Sequence, residues 1–224
     1  MKLLSIAIAA LIGCNGACGG GGGGGVDAGP VSFMAEYVDW DSSSTGAFCG
    51  IFKATWTSHD DTAVTVTTNP NGRVTLNLPS APQMRIDITP PTGGSECTTP
   101  TGQLYNIPGI AIVDRAVNDA GGEYSTRSLS TTRATAFGYN PAKAQVMVHV
   151  DGTPGSVSLT GSHDATQAFD GSAWAAGDTG VNVFFPNVDP SSGNESVGTS
   201  GSAIGTGSIP VVAGTFTYLS IIEN

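Results

Sequence analysis

Strands are the main elements that the pattern of apolar and polar positions predicts. Apolar residues alternate with polar ones across residues 73–78, where Val74, Leu76 and Leu78 are apolar, and again across residues 84–89. Alternation with a period of two is typical of a strand with one buried face. Further strand candidates are residues 51–57, 63–68, 145–150, 156–160, 181–185 and 215–222. The sequence therefore predicts an all-β protein.

One short helix is predicted, over residues 110–120. Ile110, Val113 and Val117 fall on one stripe at helical spacing, and two consecutive glycines follow the segment. Glycine directly after the last periodic residue is a common end of a helix. The helix is the one convincing exception that the sequence offers to the strand pattern.

A turn is predicted at Asn69-Pro70-Asn71-Gly72, between the strand candidates 63–68 and 73–78. Proline presets the backbone for a turn, and Asn-Gly readily adopts the positive φ angles that tight turns need. The two strands are therefore predicted to form a hairpin.

Two stretches of the chain are similar. The triplets Ser58-His59-Asp60 and Ser162-His163-Asp164 each end a strand candidate, and each precedes a glycine-led strand that ends in proline. A repeat of roughly 105 residues would indicate two copies of one module. Modules over residues 31–143 and 144–224 are predicted on this basis, and chance similarity within one large β domain is the alternative.

Residues 67–79 carry a resemblance to a known family. The segment Thr67-Thr-Asn-Pro-Asn-Gly-Arg-Val-Thr-Leu-Asn-Leu-Pro79 resembles carboxypeptidase regulatory-like domains, which are transthyretin-like β-sandwiches. The resemblance extends over residues 48–91, is weak over 145–224, and is interrupted by an insert at 103–140. It implies one or two tandem transthyretin-like or Ig-like β-sandwich modules without catalytic residues, with the short helix in the insert of the first module.

The first thirteen residues have the form of a secretory signal. Lys2 precedes an apolar run that is too short for a permanent membrane span. The run ends at Leu11-Ile-Gly-Cys14, which resembles the lipobox of bacterial lipoproteins, and this resemblance implies a lipid on Cys14. Asn15 in the next position implies sorting to the outer membrane by the rule of that family. An ordinary cleaved signal with an incidental cysteine is the alternative.

A glycine run follows the predicted lipid attachment site. Residues 14–30 include seven consecutive glycines, Gly19 to Gly25. Glycine loses the most backbone entropy on ordering, so this run predicts a disordered, flexible tether with a reach of roughly 20 to 25 Å. A phosphate-binding loop would need a following Lys and Ser or Thr, whereas Val26-Asp27 follows here.

The charge of the chain bears on its partners. The formal net charge is −10, and only 12% of residues are charged. Such a chain is repelled by nucleic acids and by anionic lipid surfaces. We therefore expect no nucleic-acid partner, and membrane attachment through the lipid anchor alone.

Cysteine usage is consistent with an oxidising compartment. Cys49 and Cys97 lie inside the predicted folded part, so they form the simplest disulfide pair. Closing so long a loop contributes about 4 kcal/mol in the chain-entropy model. Cys18 lies in the tether and is left either free or cross-linked to another chain.

The histidine triplets do not predict a hydrolase. Three consecutive side chains on a strand alternate between its faces, so they cannot converge as a Ser-His-Asp triad must. The chain also lacks G-x-S-x-G and H-E-x-x-H motifs. No enzyme activity and no catalytic residue are predicted.

Carboxylates supply the weak candidates for a metal site. Asp60, Asp61, Asp189 and Glu195 offer the hard oxygen ligands that calcium prefers, but none lies in a calcium-loop motif. Solvated loop carboxylates are the favoured interpretation. No cofactor is therefore predicted, with calcium as the alternative.

Trp174 and three arginines are the remaining candidates for binding. Trp174 follows a Gly-Ser segment and either stacks on a sugar ring or packs within the protein. Arg115, Arg127 and Arg133 concentrate positive charge in the insert, where they predict either a contact between modules or a site for an anion.

These observations together predict a non-catalytic lipoprotein of the bacterial cell envelope. Its β-sandwich modules would act as a structural, adhesive or binding unit at the outer membrane or cell surface, with a surface protein or a polysaccharide as partner. A carbohydrate-binding module, or an accessory to a surface hydrolase, is the alternative.

Overall fold

The structure is a computed structural model that describes residues 29–42, 49–92 and 105–224. The predicted signal peptide, the lipid attachment site Cys14, Cys18, the glycine run and Cys97 lie outside these ranges. The disulfide between Cys49 and Cys97 therefore stays a prediction. No helix in the described part of the chain combines the length and apolar character that crossing a bilayer requires.

Strands make up most of the described chain, together with two short helices and one 3-10 turn. The strands are β1 Val31–Asp39, β2 Thr55–Ser58, β3 Thr65–Thr67, β4 Arg73–Leu78, β5 Gln83–Thr89, β6 Gly109–Asp114, β7 Ser125–Ser128, β8 Ala144–Gly152, β9 Val157–Leu159, β10 Gln167–Phe169, β11 Trp174–Ala176, β12 Asn182–Val188, β13 Asn194–Thr199, β14 Ala203–Ile204, β15 Gly207–Pro210 and β16 Phe216–Glu223. The helices are α1 Arg115–Asp119 and α2 Thr131–Ala136, and the 3-10 turn is Pro190–Ser192.

The strands form three packed layers. The central sheet has ten strands. Nine follow the order β11-β10-β12-β8-β16-β6-β5-β2-β3, and the tenth, β14, pairs with β16. The sheet β4-β1-β7 covers one face of it, and the sheet β15-β13-β9 covers the other. The predicted all-β class of packed sheets is confirmed.

The segment predicted as a helix is a central strand followed by a much shorter helix. Residues 110–113 belong to β6, which lies between β5 and β16. Ala111 and Val113 enter a first apolar core, which lies between the central sheet and the sheet β4-β1-β7. Ile110 and Ile112 enter a second core on the opposite face of the central sheet. A strand buried on both faces has a continuous apolar sequence, which can match helical spacing by coincidence. The helix α1 begins only after Asp114, whose carboxylate accepts from Ala116 N at 2.8 Å.

The strand β1 has no counterpart among the predicted elements. Val31, Phe33, Ala35 and Tyr37 are buried and point into the first core, while the residues between them point outward. This alternation is visible in the sequence and is the signal that would have identified the strand.

The turn at residues 69–72 is confirmed, but the hairpin is wrong. Gly72 has a φ of 74°, and its N–H donates to Asn69 O at 2.8 Å. Past this turn the two strands separate, because β3 pairs with β2 in the central sheet and β4 pairs with β1. A Cβ at Gly72 would lie 2.2 Å from Tyr37 O, so glycine is needed for the turn to pack against β1.

The central sheet contains strands from both predicted modules. The strand β16 pairs in parallel with β6 on one side and with β8 on the other. The first core likewise combines Met147, Phe184 and Phe216 with residues of β1 to β7. The boundary predicted between residues 143 and 144 therefore falls within one hydrogen-bonded sheet and one apolar core.

Because strands on both sides of residue 143 share this sheet, we expect the protein to unfold in a single transition. Thermal unfolding should give one midpoint by far-UV circular dichroism and the same midpoint by tryptophan fluorescence. Two of the three tryptophans, Trp40 and Trp56, are buried in the first core, so fluorescence reports mainly on that core. A fluorescence midpoint clearly separated from a second step in circular dichroism would instead support two independent modules.

Candidate functional site

The first histidine triplet does not form a catalytic group. Nδ1 of His59 lies 2.8 Å from Oδ2 of Asp87, on the neighbouring strand β5. The Ser58 hydroxyl accepts instead from the Asp61 N–H at 3.4 Å. The triplet is therefore a polar strand end, as expected from the alternation of its side chains.

The second triplet lies in a loop and is also used structurally. Nδ1 of His163 lies 2.7 Å from the carbonyl oxygen of Asp164, and its ring packs edge-on against Phe185. Oδ2 of Asp164 accepts from the side-chain amide of Asn187 at 2.7 Å. Ser162 contributes its carbonyl oxygen to Asp189 N. Ser162 is therefore not placed against His163.

The candidate metal ligands are dispersed and three of the four have protein donors. Asp60 is exposed, and Asp61 caps the N–H of Ala63 at 3.1 Å. Asp189 accepts from Lys143 Nζ at 2.8 Å, and the hydrogen bonds it receives lower its pKa to about 2. The buried carboxylate of Glu195 accepts from two hydroxyls, those of Thr160 and Ser192. Among the described residues no three His, Cys, Asp or Glu side chains are grouped to hold a metal ion.

Trp174 packs inside an aromatic cluster. Its ring stacks on Trp40 with centroids 4.0 Å apart and planes inclined by 15°. Phe169 lies at 5.2 Å, and the indole N–H of Trp174 lies 3.4 Å from Trp40 O. One face of the indole is therefore occupied by Trp40, and these contacts favour packing over the sugar-binding alternative.

Two of the three arginines hold the end of β1, and the third lies elsewhere. The Arg127 guanidinium donates to the carbonyl oxygens of Trp40 and Ser42, while Arg133 pairs with Asp41. Arg115 pairs with Asp119 at 2.9 Å on α1. Because the arginines do not converge, the described contacts do not form one anion site.

Arg127 joins the two halves of the chain. Its guanidinium lies 4.7 Å from the ring centre of Phe169, which is in β10. Burial lowers the pKa of Arg127, and the nearby carboxylates of Asp39 and Asp41 oppose that shift. The contact agrees with the expectation that positive charge in the insert meets the other half of the protein.

A surface groove lies beside β1 in the described part of the chain. Its volume is about 510 Å³. The outward side chains of Ser32, Met34 and Glu36 form its floor together with Arg73 and Thr75 of β4, and Asn118 with residues 121–125 forms one wall. Met34 exposes 70% of its surface, which is far more than a methionine in a core position.

The groove runs along an open edge of β1. Glu36 N donates to Tyr124 O, whereas Tyr37 N donates to Gly72 O beside β4, so even-numbered residues of β1 face the β7 side. The strand β7 begins opposite Glu36. Over Val31–Ala35, β1 therefore pairs with β4 alone among the described strands. By the alternation of the backbone, the N–H and C=O of Met34 face the groove.

The wall of the groove is held in place by the first core. Tyr124 packs edge-on against Phe33 with ring centroids 4.8 Å apart. Gly122 N donates to Val117 O at 2.9 Å, and a Cβ at Gly122 would lie 2.6 Å from the Val117 side chain. The chain therefore runs from α1 along this wall and pairs with β1 only from residue 125 onward, which leaves the gap beside β1. The sequence prediction missed this site because it missed β1.

Comparison with known proteins gives distant structural likenesses only. The chain matches no protein-family model and no curated protein. It is similar to a shaft pilin of Lactobacillus rhamnosus GG at 10% identity and a TM-score of 0.34, over 87% of this chain and 98% of that one.

Two further solved structures show the same kind of likeness. The TIE protein of Bacillus anthracis is 9% identical with a TM-score of 0.27, over 87% of this chain and 34% of that one. A streptococcal ancillary pilin is 9% identical with a TM-score of 0.23, over 89% of this chain and 64% of that one. Likenesses this distant do not show a function for this chain.

His149 gives the fold a pH dependence that can be measured. Burial lowers the pKa of His149, although Asn182, Asp151 and Glu123 oppose the shift. The unfolded chain binds a proton near pH 6.5, whereas the folded chain binds it only at lower pH, so stability falls as pH drops below about 6.5. The loss is at most about 1.4 kcal/mol per pH unit until the folded pKa is reached.

The variant His149→Gln removes this titration and keeps a side chain that can bond to Asn182. Urea unfolding of both proteins at pH 7.5 and pH 5.5 should show a larger loss for the wild type than for the variant. Other titrating groups are common to both proteins and cancel in the comparison. Equal losses in the two proteins would show that His149 is protonated in the folded state as readily as in the unfolded chain.

Proposed function

We propose that this chain is a non-catalytic, lipid-anchored surface protein that presents the groove beside β1 to a partner. The observation that carries this proposal is the combination of an exposed Met34 with an open strand edge in a groove of fixed shape. An unpaired strand edge offers its N–H and C=O groups to another chain, so such an edge beside an exposed methionine supports a binding surface.

The structural use of the chemistry-bearing residues supports a role without catalysis. Asp39 is buried and accepts from Tyr105 Oη at 2.6 Å, and its pKa is raised by burial. His59 and His163 hold a strand end and a loop, and Arg127 bonds to backbone carbonyls. In the described residues these groups are directed at the protein itself rather than at a shared cavity.

The envelope location rests on the sequence of the first thirty residues. Residues 1–13 supply the signal, Cys14 the lipid attachment site and residues 14–30 the tether. The lipobox resemblance and Asn15 support the outer membrane, and the net charge of −10 requires that acyl chains make the membrane contact. A disulfide between Cys49 and Cys97 belongs to the same proposal, because such bridges persist in the oxidising envelope.

The anchor is tested with the variant Cys14→Ser. Expressed as the full chain in a Gram-negative host, the wild type should incorporate labelled palmitate and partition into detergent. The variant should do neither, because its side chain cannot form the thioether. Cys18→Ser is the matched control and should behave as the wild type. Labelled, membrane-bound protein in the Cys14→Ser variant would exclude the proposed attachment site.

The binding surface is tested by cross-linking on intact cells. A photoreactive benzoyl-phenylalanine at position 34 should give discrete adducts of higher mass, because a partner seated in the groove lies against that side chain. The same residue at position 212 is the control, since Val212 is also exposed, at 40%, but lies outside the groove. Equal adducts at both positions, or none at position 34, would contradict a partner in the groove.

A further inference from the structure

We infer that the groove beside β1 binds an extended, basic peptide segment of another protein by strand addition. The inference rests on the proposed function, because it names the kind of partner that the groove takes. The added strand would lie next to Val31–Ala35 and continue the line of β7, which begins at Ser125.

The backbone of β1 supplies the hydrogen bonds for such a strand. The N–H groups of Ser32 and Met34 and the C=O of Met34 face the groove by the alternation established at Glu36 and Tyr37. The Ser32 carbonyl already accepts from the side chain of Asn118 at 3.3 Å, so it marks one end of the free edge. The pairing of Glu36 with Ser125 marks the other end. Main-chain bonding of this kind supplies affinity that depends little on sequence.

The outward face of β1 supplies an apolar contact for one side chain of the peptide. Met34 stands opposite Thr75 of β4, and its side chain is part of the floor of the groove. A neighbouring strand would place every second side chain on this face, next to Met34. Methionine adapts to many partner shapes, so this contact accommodates different aliphatic residues.

Charge selects a basic peptide. Glu36 and Glu123 line the groove, and Arg73 lies 2.7 Å from Glu36 and neutralises only part of that charge. The chain as a whole carries −10, which attracts cationic segments and opposes the approach of a second copy. A lysine or arginine in the peptide would complement the surplus carboxylate at the rim.

Hydrogen exchange provides the test, with acetyl-Thr-Val-Lys-Val-Thr-amide as the probe. In the full chain carrying Cys14→Ser and labelled with ¹⁵N, exchange of the Met34 amide should slow about tenfold when the peptide concentration is ten times its Kd. The amides of Phe33 and Ala35 face β4 and should be unchanged. They are therefore internal controls for global stabilisation.

Two altered peptides separate strand addition from simple adhesion. N-methylation of the amide that faces β1 should abolish protection of Met34, whereas N-methylation of the next amide, which faces solvent, should leave it intact. Replacing the lysine of the probe with glutamate should weaken binding at least about fivefold at low ionic strength. Equal binding by both methylated peptides would overturn strand addition, and equal binding by the glutamate peptide would overturn the basic preference.

Variants of the protein complete the design. Met34→Leu should bind the probe with similar affinity, whereas Met34→Lys should bind it several-fold more weakly because it places a positive charge beside the peptide lysine. Met34 faces outward, so neither variant disturbs the core. If Met34→Lys binds as well as the wild type, the peptide does not lie on this face.

The remaining outcomes distinguish this inference from the proposed function. Met34 protection without any peptide would show that another segment of the chain fills the edge, and protection that rises with protein concentration would show a second copy; either result overturns the inference. Lack of probe binding together with cross-links at position 34 also overturns it, while the proposed surface function stands. Absence of those cross-links would remove the proposed binding surface itself.

Discussion

Burial of both faces of the central sheet is the constraint on which the rest of this protein depends. The strand β6 sends Ala111 and Val113 to one core and Ile110 and Ile112 to the other. Parallel pairing of β16 with β6 and β8 is typical of strands that are covered on both sides. A sheet with two apolar faces needs two covering layers, and the sheets β4-β1-β7 and β15-β13-β9 supply them. The position of β1, and hence of the groove, follows from this requirement.

Alternation in the sequence predicted β4 and β5, but β1 was missed although it also alternates, and β6 was predicted as a helix. Residues 73–78 and 84–89 each have one buried face, and the structure places β4 and β5 there. The apolar run of β6 lacks alternation because both of its faces are buried, so the spacing of its apolar residues also matches that of a helix. The turn at Gly72 was recognised from local chemistry, but the separation of β3 and β4 depends on pairing with strands distant in sequence, which local patterns do not encode.

The candidate site was beyond sequence reasoning for a related reason. Met34 is an ordinary methionine in an alternating segment, and only the late start of β7 makes the backbone beside it available. Trp174 and the arginines are binding candidates by residue type, yet their contacts are with residues far along the chain. Trp174 and Arg127 both contact Trp40, and Arg133 pairs with Asp41. Residue type indicates which contacts a side chain can make. The fold decides whether those contacts are made within the protein or with a ligand.

The position of β1 at the start of the described chain also has a mechanical consequence. Force that enters at residue 30 and acts along the strand loads its hydrogen bonds to β4 and β7 in shear, so many bonds resist together instead of opening one at a time. Over Val31–Ala35, β1 pairs with β4 alone among the described strands, so these residues are the weakest part of this connection. A peptide strand added in the groove would form hydrogen bonds with this part of β1. We therefore expect β1 to resist a pulling force better when the peptide is bound.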